Sequence, residues 1–137
     1  LSPHILKNYG LQRAVENFTD HFSTLEKPEI CISSNIHDKR FDYNTEIILY
    51  RVICELITNS LKHAAASRID INLFHKTNEL ELIYSDDGIG IDVESMETKL
   101  AGTGISNIFS RIKSLNGSID VISEPGEGFN VKIVVSS

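Results

Sequence analysis

The segments ELITNSLKH at residues 55–63, DDGIG at residues 86–90 and GTG at residues 102–104 are the most informative part of this 137-residue chain. Each of the three is a weak signal when it is taken alone. Because they follow one another in this order and at these separations, they predict one pocket that binds a nucleotide together with a metal ion.

The first segment lies in a stretch whose apolar spacing predicts one long helix over residues 44–65. On a regular helix, Glu55, Asn59 and Lys62 fall within an arc of roughly 60°, opposite a wide apolar face. An acid, an amide and a base one turn apart differ from the alternating Lys and Glu of an ordinary solvated face. The pattern predicts a row of polar groups that points into a cleft, with an exposed polar stripe as the alternative.

These side chains suit the chemistry of a phosphorylated ligand. Asn59 offers a neutral oxygen to a hard divalent cation, which takes oxygen ligands and keeps several waters. Lys62 matches phosphate charge, and Glu55 can orient or deprotonate a water molecule or the attacking group. His63 either touches a phosphate or only borders the cleft.

The second segment directly follows a predicted strand. Asp86 at the end of that strand can accept a hydrogen bond from an exocyclic amine, which adenine offers and guanine replaces with a carbonyl at that edge. Gly88 and Gly90 allow a backbone with positive φ and the close approach of a flat ligand. A tight turn with a solvated pair of aspartates, Asp86 and Asp87, is the alternative.

The third segment, Gly102-Thr103-Gly104, comes immediately before a helix that is predicted to start at Ile105. The backbone N–H groups and the positive end of that helix form a site for an anion. Neither glycine pair extends to Gly-x-Gly-x-x-Gly, and no Gly-x-x-x-x-Gly-Lys-Ser/Thr occurs. A dinucleotide-binding site of the Rossmann type and a P-loop are therefore disfavoured.

The rest of the chain alternates between helical and extended patterns. Polar connectors separate these patterns, and Asn44 or Thr45 can cap the long helix. The predicted elements are a helix over 11–25, a strand over 29–36, the helix over 44–65, strands over 68–74 and 79–85, a helix over 105–115 closed by Asn116-Gly117, and strands over 118–123 and 129–135. This order predicts an α+β fold: a two-layer α/β sandwich in which three helices cover one face of a mixed sheet.

Composition narrows the class of protein further. The net charge is −6 and there is no basic cluster, so a nucleic-acid surface is not expected. No apolar run approaches the ~20 residues that cross a bilayer, so no membrane contact is expected of this segment. Cys31 and Cys54 are expected to be free thiols in a reducing cytoplasm, and the histidines lack the spacing of a zinc site. The absence of an initial Met suggests a piece of a longer protein.

Taken together, the three segments resemble the N, G1 and G2 boxes of the gyrase/Hsp90/histidine-kinase/MutL (GHKL) ATPase superfamily. The resemblance implies the Bergerat fold with a mostly antiparallel sheet, bound ATP and Mg²⁺, and a mobile ATP lid over residues 91–103. It implies Mg²⁺ on Asn59, adenine on Asp86 and a catalytic role for Glu55. The implied ATP-binding residues are Asn59, Lys62, His63, Asp86, Gly88, Gly90, Gly102, Thr103 and Gly104.

Within the superfamily, residues 1–15 and 124–128 resemble sensor histidine kinases of the HisKA_3 type. Residues 1–10 would then end a linker from the dimerization domain, and residues 11–137 would form the catalytic domain. The resemblance implies transfer of the γ-phosphate to a histidine on that separate domain and relay to a response regulator. It also implies a homodimeric full-length protein, with an inner-membrane anchor left open. One departure is Phe129, where many relatives carry a Thr that contributes to the adenine site.

Several alternatives stay open at this point. An anti-sigma-factor-type Ser/Thr kinase has the same boxes, and a stand-alone ATPase arm or a degenerate nucleotide-sensing module are further possibilities. The phosphoacceptor is expected upstream of Leu1, although residues 3–8 partly resemble the acceptor segment of LytS-type kinases, which would make His4 the acceptor. Glu55 would activate water in an ATP-hydrolysing relative and would orient the metal shell in a kinase.

Overall fold

The computed structural model describes residues 3–23, 28–90, 105–123 and 125–137. From residue 11 onward, helices and strands follow one another in the order that the sequence predicts. The elements are α1 (Pro3–Tyr9), α2 (Leu11–Ser23), β1 (Glu29–Ser34), α3 (Tyr43–Asn59), a π-helical segment (Ser60–Ala64), β2 (Arg68–Lys76), β3 (Glu79–Asp86), α4 (Ile105–Ser114), β4 (Ser118–Ser123) and β5 (Phe129–Ser136). No helix within these ranges is long and apolar enough to cross a membrane.

The five strands form one mixed sheet in the order β1-β2-β3-β5-β4. β1 and β2 run parallel, and the connection between them contains α3, as a parallel pair requires a crossover. The other three pairings are antiparallel, and β2 and β3 form a tight hairpin. The predicted mixed, mostly antiparallel sheet is confirmed.

One face of the sheet is apolar and buried, and the other is mostly polar. Alternate residues of the three central strands have almost no exposed surface: Ile69, Ile71 and Leu73 of β2, Leu80, Leu82 and Tyr84 of β3, and Val131, Ile133 and Val135 of β5. They form one core cluster with the apolar faces of α2, α3 and α4. This arrangement confirms the predicted two-layer sandwich.

The long helix departs from its predicted form at both ends. Its N-cap is Asp42, whose Oδ2 accepts the N–H of Asn44 at 3.1 Å, so the predicted cap at Asn44 or Thr45 is wrong. The regular α-helix ends at Asn59 and continues as a π-helical segment, which a single apolar period does not reveal. By contrast, α4 is closed as predicted by Asn116, whose φ of 54° places it in the left-handed region.

Residues that the sequence assigns to a linker form helix α1. Leu6 has no exposed surface and belongs to the core, whereas His4 is exposed on the same helix. The helix ends where the N–H of Gly10 donates to the carbonyl of Leu6 at 3.0 Å. A helix of seven residues is too short to produce a convincing apolar period in the sequence.

An ion pair between the partly exposed Arg40 and the buried Glu46 joins α1 to the start of α3. Glu46 has no exposed surface, and its carboxylate accepts two hydrogen bonds of 3.0 Å from the guanidinium of Arg40. The same guanidinium donates to the carbonyls of Leu6 and Lys7 at 3.3 and 3.0 Å. One side chain therefore satisfies the buried carboxylate and the end of α1 together.

We expect Arg40→Ala to lower the free energy of unfolding by about 2 kcal/mol, because it leaves the Glu46 carboxylate buried without its cation. Arg13→Ala is the control, since the side chains of Arg13 and its partner Asp38 are 58% and 76% exposed. That change should lower the free energy of unfolding by less than about 1 kcal/mol. Urea unfolding of both variants measures the difference, and equal losses would contradict this account.

Candidate functional site

Glu55 lies on the side of α3 that faces a groove between three helices. The groove has a volume of about 470 Å³, and it is also lined by Phe18, Arg51, Cys54, Thr58 and Arg111. Glu55 is half-buried there. Burial raises the pKa of the Cys54 thiol to about 11, so the thiol stays protonated. Both cysteines are free thiols, as the sequence predicts.

Asn59 is the last residue of α3 and lies one turn beyond Glu55. Its side chain is half-buried, and its amide nitrogen is buried without a hydrogen-bond partner among the residues described. Among the described residues, this nitrogen is therefore an unsatisfied buried donor. In the same ranges, no three His, Cys, Asp or Glu side chains are clustered to hold a metal. A cation here would rest on the Asn59 oxygen and on groups of its ligand, a pattern common for Mg²⁺.

Lys62 and His63 lie on the π-helical segment that follows Asn59. Lys62 is exposed, and the side chain of His63 lies outside the described part of the structure. The segment ends at Ala65, which has a left-handed backbone with φ of 51°. Because a π-turn is wider than an α-turn, the predicted arc of roughly 60° does not carry over to Lys62. Short π-helical segments are frequent at functional sites, and this one carries two of the predicted site residues.

Asp86 ends β3 as predicted, and its carboxylate is almost entirely buried. The residue is 6% exposed, and each of its oxygens accepts one hydrogen bond. Oδ1 accepts the N–H of Gly88 at 2.9 Å, and Oδ2 accepts the hydroxyl of Ser60 at 2.6 Å. Ser60 follows Asn59 directly, so the hydrogen bond brings the end of the first segment against the start of the second.

Two hydroxyl groups beside Asp86 are not identified from the sequence. Tyr84 has no exposed surface, its hydroxyl donates to the carbonyl of Leu56 at 3.0 Å, and it lies 2.5 Å from the Ser60 oxygen. Burial raises the pKa of Tyr84, so this hydroxyl keeps its proton. The strand pattern could have indicated this contact, because a Tyr on the inner face of a strand has a buried hydroxyl that requires a hydrogen-bond partner.

Asp87 is exposed and ties the second segment to the start of β2. Its carboxylate accepts the Ser67 hydroxyl and the backbone N–H groups of Ser67 and Arg68, the latter two at 2.8 and 2.9 Å. The Ser67 hydroxyl, followed by these N–H groups, lowers the pKa of Asp87 below its usual range. The predicted alternative of a tight turn with two solvated aspartates is therefore wrong for Asp86, which is buried, and Asp87 is exposed but hydrogen-bonded to the start of β2.

The loop between β4 and β5 packs on the backbone of the second segment. Gly128 has φ of 81°, and a Cβ atom there would overlap the carbonyl oxygen of Asp86. The N–H of Gly126 donates to the carbonyl of Ile89. Phe129 pairs in register with Asp86 and is buried, so it provides no hydroxyl to the site. The loop thus holds residues 86–89 by close backbone contact.

The third segment and the predicted lid lie outside the described residues. Gly102, Thr103 and Gly104 are among them, so their predicted role as an anion site stays a prediction. The helix that follows begins at Ile105, as predicted. Gly90 has φ of 68°, as expected, whereas Gly88 does not have a positive φ, so the expectation is wrong for Gly88.

A family profile described as "Histidine kinase-, DNA gyrase B-, and HSP90-like ATPase" matches residues 44–137, which include the end of α3, Asp86 and the β4–β5 loop. The chain belongs to this family. The predicted superfamily is therefore confirmed on a match that covers more than half of the chain.

Relatives of this ATPase-family chain include sensor histidine kinases. It is 28% identical over 135 residues to the sensor histidine kinase ComP of Bacillus subtilis, covering 98% of this chain and 18% of ComP. It is 27% identical to the sensor histidine kinase LiaS of the same organism, covering 98% of this chain and 36% of LiaS. The chain thus spans roughly a fifth to a third of the curated relatives it matches.

Solved structures of histidine kinases share the fold. The catalytic domain of histidine kinase ThkA has a TM-score of 0.74 at 16% identity, covering 92% of this chain and 89% of that one. The histidine kinase AdeS of Acinetobacter baumannii has a TM-score of 0.74 at 19% identity, covering 96% and 72%. At these identities the likeness concerns the fold.

In this ATPase fold, we expect Gly128→Ala to be more harmful than Gly126→Ala. Both glycines have positive φ, which costs an Ala about 1 kcal/mol, but a Cβ at Gly126 meets nothing within 4 Å. The added Cβ at Gly128 displaces the Asp86 carbonyl, so the free energy of unfolding should fall further and the Gly88 amide should exchange its hydrogen faster. Urea unfolding and hydrogen exchange measure the two effects. Equal behaviour of the variants would contradict the close contact.

We expect Asp87→Asn to destabilise the domain more at pH 7 than at pH 3. The folded pKa of Asp87 is lowered, so its contribution to stability is present above the unfolded pKa and is lost as the pH falls through the folded pKa. Urea unfolding of wild type and variant at both pH values measures this, with Asp120→Asn on β4 as the control. A difference that does not shrink at pH 3 would indicate that the charge of Asp87 is unimportant.

Proposed function

We propose that this chain is the ATP-binding catalytic domain of a sensor histidine kinase. It binds Mg-ATP and transfers the γ-phosphate to a histidine on a separate dimerization domain of the same kinase, for relay to a response regulator. The observation that carries the proposal is the buried Asp86 carboxylate, which accepts a hydrogen bond from Ser60, the residue that follows Asn59 in the chain. Family membership and the kinase relatives support it.

Asp86 is the group that selects the base. Among the described residues, each carboxylate oxygen accepts one hydrogen bond, and an ionised carboxylate has further lone pairs. The remaining capacity suits the exocyclic amine of adenine. Guanine presents a carbonyl oxygen at the corresponding edge, which a buried carboxylate repels and cannot hydrogen-bond. The proposed substrate is therefore ATP and not GTP.

The end of α3 and the π-helical segment hold the phosphate groups. The Asn59 oxygen would hold Mg²⁺, and the exposed ammonium of Lys62 would pair with a phosphate. His63 would be a second phosphate-binding residue. Bound Mg²⁺ would neutralise charge on the phosphate oxygens. Glu55, on the preceding turn, would orient this shell. Residues Gly102, Thr103 and Gly104 would add backbone N–H groups at the start of α4.

Transfer consists of one displacement at phosphorus. A nitrogen of the acceptor imidazole attacks the γ-phosphorus, the bond to the β-phosphate oxygen breaks, ADP leaves, and the imidazole proton passes to solvent. The domain contributes position and charge, since the loose transition state of phosphoryl transfer needs little covalent help. The proposal places the reaction in the cytoplasm. The acceptor lies on the dimerization domain and not at His4, and the full kinase is a homodimer.

We expect Asn59→Ala to lower Mg²⁺-dependent phosphotransfer at least about 100-fold, because it removes an oxygen from the metal site and no core packing. Asn72→Ala, on the outer face of the sheet, is the matched control and should transfer normally. The assay incubates the chain with labelled ATP, Mg²⁺ and a dimerization domain from a kinase relative. Phosphate that is acid-labile and base-stable on the acceptor supports the proposal.

Two outcomes of this assay would contradict the proposed function. Acid-stable phosphate on a serine of a partner would select the anti-sigma-factor-type Ser/Thr kinase instead. If Asn59→Ala transferred phosphate as fast as the wild type, Asn59 would not be a metal ligand. Asp86→Asn completes the test, since it should weaken ATP binding and reduce discrimination against GTP.

A further inference from the structure

We infer that Ser60 is a positioning residue for the nucleotide base: its hydroxyl, held by Tyr84, orients the Asp86 carboxylate and thereby sets the preference for adenine over guanine. The inference rests on the proposed function, because it assigns Asp86 to the base. It adds Ser60 and Tyr84 to the proposed site and assigns the direction of the hydrogen bonds from Tyr84 to Ser60 and from Ser60 to Asp86.

The direction of the hydrogen bonds follows from the chemistry of the groups. An ionised carboxylate only accepts, so the single hydrogen of Ser60 must point at Oδ2 of Asp86, 2.6 Å away. The oxygen atoms of Ser60 and Tyr84 lie 2.5 Å apart, so the hydrogen between them comes from Tyr84, which donates to Ser60. Tyr84 has only this one hydrogen, and the Leu56 carbonyl at 3.0 Å shares it as a second acceptor. All three side chains are nearly or fully buried. The loss of any of these hydrogen bonds therefore costs free energy that water does not restore.

Two donors on different elements fix the plane of the carboxylate. Gly88 holds Oδ1 from the loop after β3, and Ser60 holds Oδ2 from the helical side. With both in place, the free lone pairs have one orientation. If the Ser60 hydroxyl is removed, the carboxylate loses one of the two donors found among the described residues and can turn more freely about its χ2 torsion. The loss should affect a ligand that donates to Asp86 more than one that does not.

The position of Ser60 also links the base to the phosphates. Ser60 is the first residue of the π-helical segment, and its own N–H donates to the carbonyls of Leu56 and Ile57. The Leu56 carbonyl accepts from Tyr84 as well, which ties this turn to β3. Asn59 precedes Ser60 directly. Two consecutive residues therefore carry the proposed metal ligand, Asn59, and the hydroxyl that orients Asp86, the proposed adenine-binding group.

A purely structural role for Ser60 makes a different prediction. If the hydroxyl only stabilised the fold, its loss would lower affinity for every nucleotide by the same factor. The measured quantity is therefore the ratio of the dissociation constants for GTP and ATP, obtained by calorimetry with the 137-residue chain. We expect Ser60→Ala to lower this ratio about tenfold, mainly through weaker ATP binding, and Tyr84→Phe to lower it about threefold.

Two further variants act as controls. Ser60→Thr keeps the hydroxyl and should retain the wild-type ratio. Ser67→Ala is the chemically matched control, because it removes a serine hydroxyl that donates to the carboxylate of Asp87, the residue after Asp86. It should leave the ratio unchanged. If Ser60→Ala does not fold, as judged by circular dichroism, Tyr84→Phe decides, and an unchanged ratio in that variant overturns the inference.

The outcomes separate this inference from the proposed function. A wild-type chain that binds neither nucleotide, or binds both equally, contradicts the assignment of Asp86 to adenine. A wild-type chain that prefers ATP, with the same preference in folded Ser60→Ala, leaves that assignment standing and overturns the role of Ser60 alone.

Discussion

The rest of the site depends on the burial of one negative charge. A carboxylate that is 6% exposed, as Asp86 is, must receive hydrogen bonds from the protein, because water reaches it poorly. The donors are the Gly88 N–H, in the loop after β3, and the Ser60 hydroxyl, directly after α3. The charge can therefore be buried only when folding brings both donors to the carboxylate. Gly128 then allows the β4–β5 loop to close over the same backbone.

Features with a regular period can be predicted from the sequence. The alternation in residues 68–74, 79–85 and 129–135 marks strands with one buried face, and the structure has strands there. The helical spacing of apolar residues likewise predicts α2, α3 and α4. The site segments carry residue types whose chemistry is specific, and the strand pattern that precedes Asp86 is enough to predict its place at a strand end.

Features that depend on tertiary contact escape such prediction. The π-helical segment after Asn59 has no period of its own, and the Ser60–Tyr84–Asp86 contact joins residues of α3's end and β3 that only folding brings together. In the sequence, Arg40 and Glu46 cannot be distinguished from ordinary surface charges, yet Glu46 is fully buried. The short helix α1 takes its stability from the core and from Arg40, so local patterns alone do not indicate it.

The strand order has a consequence for how the domain assembles. β5 follows β4 in the sequence but inserts between β3 and β4, and among the described residues β4 pairs with β5 alone. The β2–β3 hairpin can form early because its pairing is local, whereas residues 79–86 must wait for residues 129–136. The pocket wall beside Asp86 is therefore completed only after residues 129–136 have been synthesised and paired. A chain shortened at its carboxyl end would lose the middle of its sheet.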